Sequence, residues 1–279
     1  MSTTTTERTA AATTRTAHST TPLRQIGALA RMEATLLRRN KTALLNTIVM
    51  APVLVLLMLP LVGDGAAGAA FGTHLVALMA AFGLVFVAYY NLTTTVVARR
   101  EELTLKRLAS GELSAASVLI GTATPAAAII AGQLILTSAA AAAAFDLPLP
   151  ANPVLVVIAL VGGFAVFALL AYASSGMTKT VEAAQLTTLP VIFGTMLASG
   201  VTFPLQTLPG PLQQIAELTP LAPVIQLLQV GFLGLDDTGA ALTLGETFTA
   251  GLVPALVLAG WCALGVLATR RWMRWEPRR

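Results

Sequence analysis

Charge is scarce in this 279-residue chain: Asp, Glu, Lys and Arg make up 11% of it, against 56% hydrophobic residues and a mean hydropathy of +0.78. A soluble core of this size could not bury so much apolar surface, so the composition excludes a water-soluble globular protein and points to repeated membrane crossings. The single cysteine, Cys262, sits in an apolar run, which excludes an intramolecular disulfide or a thiolate metal cluster. The two histidines, His18 and His74, stand far apart, and neither H-E-x-x-H nor G-x-S-x-G occurs, so metalloprotease and serine-hydrolase chemistry are disfavoured. There is no G-x-x-x-x-G-K-S/T loop to cradle ATP phosphates. The middles of the apolar segments also lack Asp, Glu, Lys and Arg, the groups on which ion-coupled carriers commonly rely. The sequence thus offers no catalytic or metal-binding residues, and the energy for any transport must come from elsewhere.

What is present is apolar length in regular instalments. Residues 1–22 are Thr, Ala and Ser with two arginines, a composition that predicts a disordered tail and lacks the apolar core of a signal peptide. Over 23–40 the pattern becomes amphipathic: Leu23, Ile26, Leu29, Ala30, Leu36 and Leu37 share one arc, with Arg24, Arg31 and Arg38 outside it. Such a helix lies in the membrane interface with its cations toward anionic headgroups. Glu33 falls inside the apolar arc, where a carboxylate calls for a protein neighbour or for hydration at the interface.

Six spans are expected at about 42–62, 73–97, 115–144, 154–174, 181–201 and 248–268, giving an all-α polytopic membrane protein. Ser114 is the expected N-cap of the third span. Gly194 and Ala198 offer a small-residue ridge on the fifth. Residues 203–236 are proline-rich and apolar in pieces too short to span, and read as re-entrant helices packed on protein. With both termini cytoplasmic, this topology puts all 17 Lys and Arg residues on one side. The basic balance then reports orientation in a plasma membrane, with no need to invoke nucleic acid.

One charged island interrupts the apolar segments, Arg99-Arg100-Glu101-Glu102-Leu103-Thr104-Leu105-Lys106-Arg107-Leu108. On a helix Glu102 and Lys106 pair four apart, Thr104, Leu105 and Leu108 share the other flank, and Gly111 supplies a stop. Spacing alone fits equally a solvated loop and a short helix shown to a soluble partner. Just before the island, Tyr89, Tyr90 and Asn91 are polar groups that favour a bundle interior or a cavity over lipid.

The segment from Arg100 to Leu108 resembles the R-E-E-G-T-L-K-R-L motif of type 2 ATP-binding-cassette exporter permeases, found in bacterial drug-resistance, antibiotic-export and polysaccharide-export systems. The six spans, the amphipathic segment, Gly200-Val-Thr-Phe203-Pro204 and the proline-rich stretch that follows extend the resemblance over nearly the whole chain. Leu103 stands where the motif usually has glycine, and Ala109-Ser110-Gly111-Glu112 replaces its common Arg- and Pro-containing continuation. The resemblance implies a permease domain over 23–279 with an elbow helix over 23–40 (Arg31, Glu33, Arg38), a coupling helix over 99–110 and a re-entrant region over 203–236. It implies that Arg99, Arg100, Glu101, Glu102, Thr104, Lys106, Arg107 and Leu108 engage the ATP-binding subunit, present in two copies, which carries the ATP and Mg. It further implies a homodimer in the bacterial plasma membrane exporting an apolar or amphipathic molecule such as a drug, antibiotic or lipid-like compound, with Tyr89, Asn91 and Phe203 on the path. The other reading is a membrane sensor or scaffold that docks the same kind of cytoplasmic partner without moving cargo.

Overall fold

The computed structural model describes residues 35, 68–103, 114–202, 205, 208–235 and 239–275. The tail, the elbow segment apart from Thr35, the first expected span and the coupling segment beyond Leu103 lie outside the described residues. Within them the chain is helical, with no strand and only one isolated bridge, Leu235 to Ala241.

Three of the four long helices begin where the sequence supplies a side-chain cap. Helix α1, Ala69–Glu101, changes to a π-helix over Gly83–Tyr90 and then returns to α-helical geometry. Helix α2, Ala115–Phe145, starts at Ser114, whose hydroxyl accepts from the Ser117 N–H at 3.1 Å. Helix α3, Pro153–Met177, starts at Asn152, whose side-chain oxygen accepts from the Val154 and Leu155 N–H groups, with proline at the first helical position. The Asn152 amide also donates to Thr247 Oγ1 at 2.9 Å, tying this start to the last helix, α8, Leu244–Trp272. There Thr243 and Glu246 form a reciprocal capping box. These four helices are each long and apolar enough to cross a membrane, and they match the expected second, third, fourth and sixth spans.

The expected fifth span is corrected. In place of one helix over 181–201 there are two, α4 (Val181–Thr187) and α5 (Leu189–Leu197), which with Thr188 between them make the 17 residues Val181–Leu197. At about 1.5 Å per residue they cover about 25 Å, less than a comfortable crossing. The break has local causes: Pro190 cannot donate to the helix ladder, and Thr188 turns its hydroxyl back onto the Ala184 and Gln185 carbonyls. Beyond it come α6 (Gly210–Glu217) and α7 (Ala222–Leu233), bent by 83° from each other where re-entrant helices were expected.

Contacts along the helices fix their directions. Gly163 of α3 meets Leu84, Tyr89 packs edge-on against Phe167 and Arg100 reaches Ser175, so α1 and α3 run parallel. On the other flank α3 meets α8 at Leu155 and Gly251, Gly162 and Leu258, Leu169 and Gly265, and Gly176 and Trp272, again in parallel and at a constant offset. A lipid solvent gives apolar helices no hydrophobic reason to associate, so this alternation of leucine into glycine notch holds the pair by close packing. The second helix runs the opposite way, with Phe145 and Leu147 beside Gly72 and Ile130 beside Gly83.

Because α3 and α8 are parallel, the chain must return to its starting end between them. It does so in two legs. The end of α5 is bonded to the α6–α7 corner, where Thr219 donates to the Ala198 carbonyl at 3.2 Å, and Trp261, near the middle of α8, donates to Leu218 at 2.8 Å. Helix α7 then runs antiparallel to α3, Val224 against Gly163 and Gly231 against Val156, and reaches Asn152, whose N–H donates to the Gly231 carbonyl. Leu221, Val224, Leu227 and Leu228 of this leg are fully buried, so its backbone lies within protein as its lack of spanning length requires.

Candidate functional site

Helices α1, α3 and α8 all finish at one end of the bundle, and every described lysine and arginine is there: Arg99, Arg100, Lys179, Arg270, Arg271 and Arg274. The charged island begins as the last turn of α1. The sequence pattern ends the second span near Val97 and starts a coupling helix at Arg99; the helix instead runs unbroken to Glu101. It can do so because Arg100 is taken inward, only 1% exposed, and its charge is met by carbonyls. Nη1 donates to Ser175 O at 2.6 Å, and Nη2 donates to Thr178 O and, at 3.4 Å, to Lys179 O. These are acceptors at and just past the end of α3, where a helix leaves carbonyls without internal donors.

Around this anchor the end of the bundle is cross-tied. Arg99 Nη1 lies 3.5 Å from Thr122 Oγ1 of α2, and the Tyr172 hydroxyl donates to the Leu119 carbonyl of the same helix at 2.7 Å. A Cβ on Gly176 would fall on the Trp272 carbonyl, so α3 and α8 touch there backbone to backbone.

Glu101, Glu102 and Leu103 are exposed beside the buried Arg100. The helix closes with the Glu102 N–H on Ala98 O and the Leu103 N–H on Arg100 O. Leu103 has φ 58°, a left-handed conformation that glycine takes freely and a leucine takes with strain. It occupies the position at which the resembling motif carries glycine.

Of the other residues singled out from the sequence, Thr104, Lys106, Arg107, Leu108, Arg31, Glu33, Arg38 and Phe203 lie outside the described residues. Tyr89 points into the bundle, with its hydroxyl 3.1 Å from Ser174 Oγ. Asn91 is exposed on α1, following Phe86 and half-buried Tyr90, and Phe82 and Phe86 stack at 5.6 Å. The structure therefore separates Tyr89 from Asn91 although they are two positions apart. Sequence reading missed both the inward turn of Arg100 and the Gly176–Trp272 contact. The first has no local signal, whereas the second is foreshadowed by glycine and leucine alternating at seven-residue intervals over Leu155, Gly162, Leu169 and Gly176.

Parallel apolar helices with one basic end define a multi-pass membrane protein. The family model described as ABC-2 type transporter matches residues 24–233, and the chain belongs to that family. It is the membrane-spanning permease component of an ATP-binding-cassette system, and membership implies a separate ATP-binding subunit as its partner. No match was found among curated proteins.

Proposed function

We propose that this chain is the permease half of a homodimeric exporter, driven by two ATP-binding subunits docked at the Arg100 end of the bundle. The observation that carries the reading is the exit of α1, where exposed Glu101, Glu102 and Leu103 lead directly into the charged segment while the helix behind them is braced on α3. Glu101, Glu102, Thr104, Lys106, Arg107 and Leu108 form the docking contact, and Arg99 flanks it. The elbow residues Arg31, Glu33 and Arg38 are assigned to the same membrane face by the resemblance. The one-sided placement of Arg99, Lys179, Arg270 and Arg271 supports assigning that face to the cytoplasm of a bacterial plasma membrane. The cargo is an apolar or amphipathic small molecule moving outward along a surface that includes Asn91 and Phe203, with Tyr89 supporting that surface from behind. ATP and Mg are held by the partner.

Charge reversal tests the docking. Glu102→Lys combined with Arg107→Glu is expected to weaken binding of the neighbouring ATP-binding subunit about tenfold or more, equivalent to about 1.4 kcal/mol. Binding is measured by titrating that subunit onto permease in nanodiscs. Unchanged affinity and an unchanged hydrolysis rate would remove the docking assignment. Direction is tested in inside-out vesicles, where an exporter drives ATP-dependent uptake of a lipophilic fluorescent dye.

A further inference from the structure

We infer that Arg100 is the positioning residue that carries the stroke of the ATP-binding subunit from the exit of α1 into α3 and, through α3, into α8. The inference rests on the docking of the segment from Glu101 to Leu108 proposed above, but it assigns Arg100 a different task from its neighbours. Its guanidinium is buried and cannot meet a soluble partner, whereas the residues immediately after it are exposed. It stands one residue behind the docking surface and holds the end of the neighbouring helix α3.

The grip suits that task. Two guanidinium nitrogens engage carbonyls of Ser175, Thr178 and Lys179, on both sides of the last residue of α3. A planar fork with fixed donor directions resists rotation as well as separation, which a single ammonium contact does not. The acceptors belong to main chain, so displacement of Arg100 moves the α3 backbone and not merely a side chain. Within the gripped segment, Gly176 lies against the Trp272 carbonyl, so the end of α3 cannot shift without the end of α8. At this end of the bundle a push on the α1 exit thus reaches three parallel helices through Arg100 and the Gly176–Trp272 contact, beside the packing of α1 on α3 and of α3 on α8 farther along.

Hydrogen exchange of the intact complex tests this without knowledge of the cargo. Permease in nanodiscs with the neighbouring ATP-binding subunit is compared with ADP and with non-hydrolysable ATP. The native chain is expected to show a nucleotide-dependent difference at 101–108, at 175–183 and at 269–274. In Arg100→Gln the difference at 101–108 and binding of the ATP-binding subunit persist, while those at 175–183 and 269–274 are lost; Arg100→Lys restores them in part. A general structural role would change exchange with either nucleotide alike and leave no selective loss. The inference is overturned if Arg100→Gln retains the response at 175–183, or if both variants lose the response at 101–108 together with binding, which would place Arg100 in the docking surface itself. Should Arg100→Gln fail to fold, Arg100→Lys decides: a native-sized response at 175–183 overturns the inference, and a response reduced there but intact at 101–108 supports it. A native chain with no response at 101–108 overturns the docking reading and this inference with it. One responding at 101–108 but not at 175–183 overturns this inference alone.

Discussion

The seam between α3 and α8 and the exit of α1 make opposite use of glycine. Along the seam each close approach is met by one: Gly162 under Leu258, Gly251 under Leu155, Gly265 under Leu169, and Gly176 against the Trp272 carbonyl. At the exit the backbone adopts the left-handed turn that glycine would take, but the residue is Leu103, 43% exposed. The seam therefore minimises separation between helices, and the exit stores conformational strain at the point where the proposed docking segment leaves the bundle. Rigidity is concentrated in the interior, and the strained joint lies at the surface.

The largest break in that contrast is expected from Gly176→Leu. Its side chain would displace main chain at Trp272, at a cost of about 3 kcal/mol or more, and the variant should show a collapsed yield or a lost thermal transition in detergent. Gly265→Ala and Gly162→Ala sharpen the comparison within the seam. A methyl at 265 meets Leu169 Cβ, which its own backbone fixes, whereas one at 162 meets chiefly the movable end of Leu258. The former is expected to destabilise by about 1–3 kcal/mol and the latter by less, read as the order of their melting temperatures. At the exit the sign reverses: Leu103→Gly should stabilise by at most about 1 kcal/mol, the left-handed penalty it relieves being offset by glycine's greater freedom when unfolded. A lower melting temperature for Leu103→Gly would contradict strain at this joint.

Much of the architecture could be read directly from residue pattern. Ser114 was identifiable as a cap, and Thr243-Leu-Gly-Glu246 carries the capping-box spacing although the last helix was expected to start only near 248. The break in the fifth span was underestimated because its apolar content continues across Pro190, while the deciding hydrogen bonds from Thr188 depend on side-chain geometry. The π-helical stretch Gly83–Tyr90 has the composition of an ordinary apolar helix, so nothing in its periodicity marks it. The charged island was visible in the sequence as a candidate site, but its division between buried Arg100 and exposed Glu101 and Glu102 was not. Pattern reading assigns charges to water by default, and only the carbonyls at the end of α3, more than 70 positions away, turn Arg100 inward.

The shared direction of α1, α3 and α8 also has an electrostatic consequence. Each helix carries about half a negative charge at its C-terminus and half a positive charge at its N-terminus, so the three C-termini at this face contribute about −1.5 and the starts of α2 and α4 beside them return about +1, leaving about −0.5 before any side chain is counted. Arg99, Arg100, Lys179, Arg270 and Arg271 gather where that potential is concentrated. The cations at this end thus offset the residual helix charge as well as the carbonyls they touch. Replacing them with acidic residues to invert the topology would set the new charges against the helices' own field.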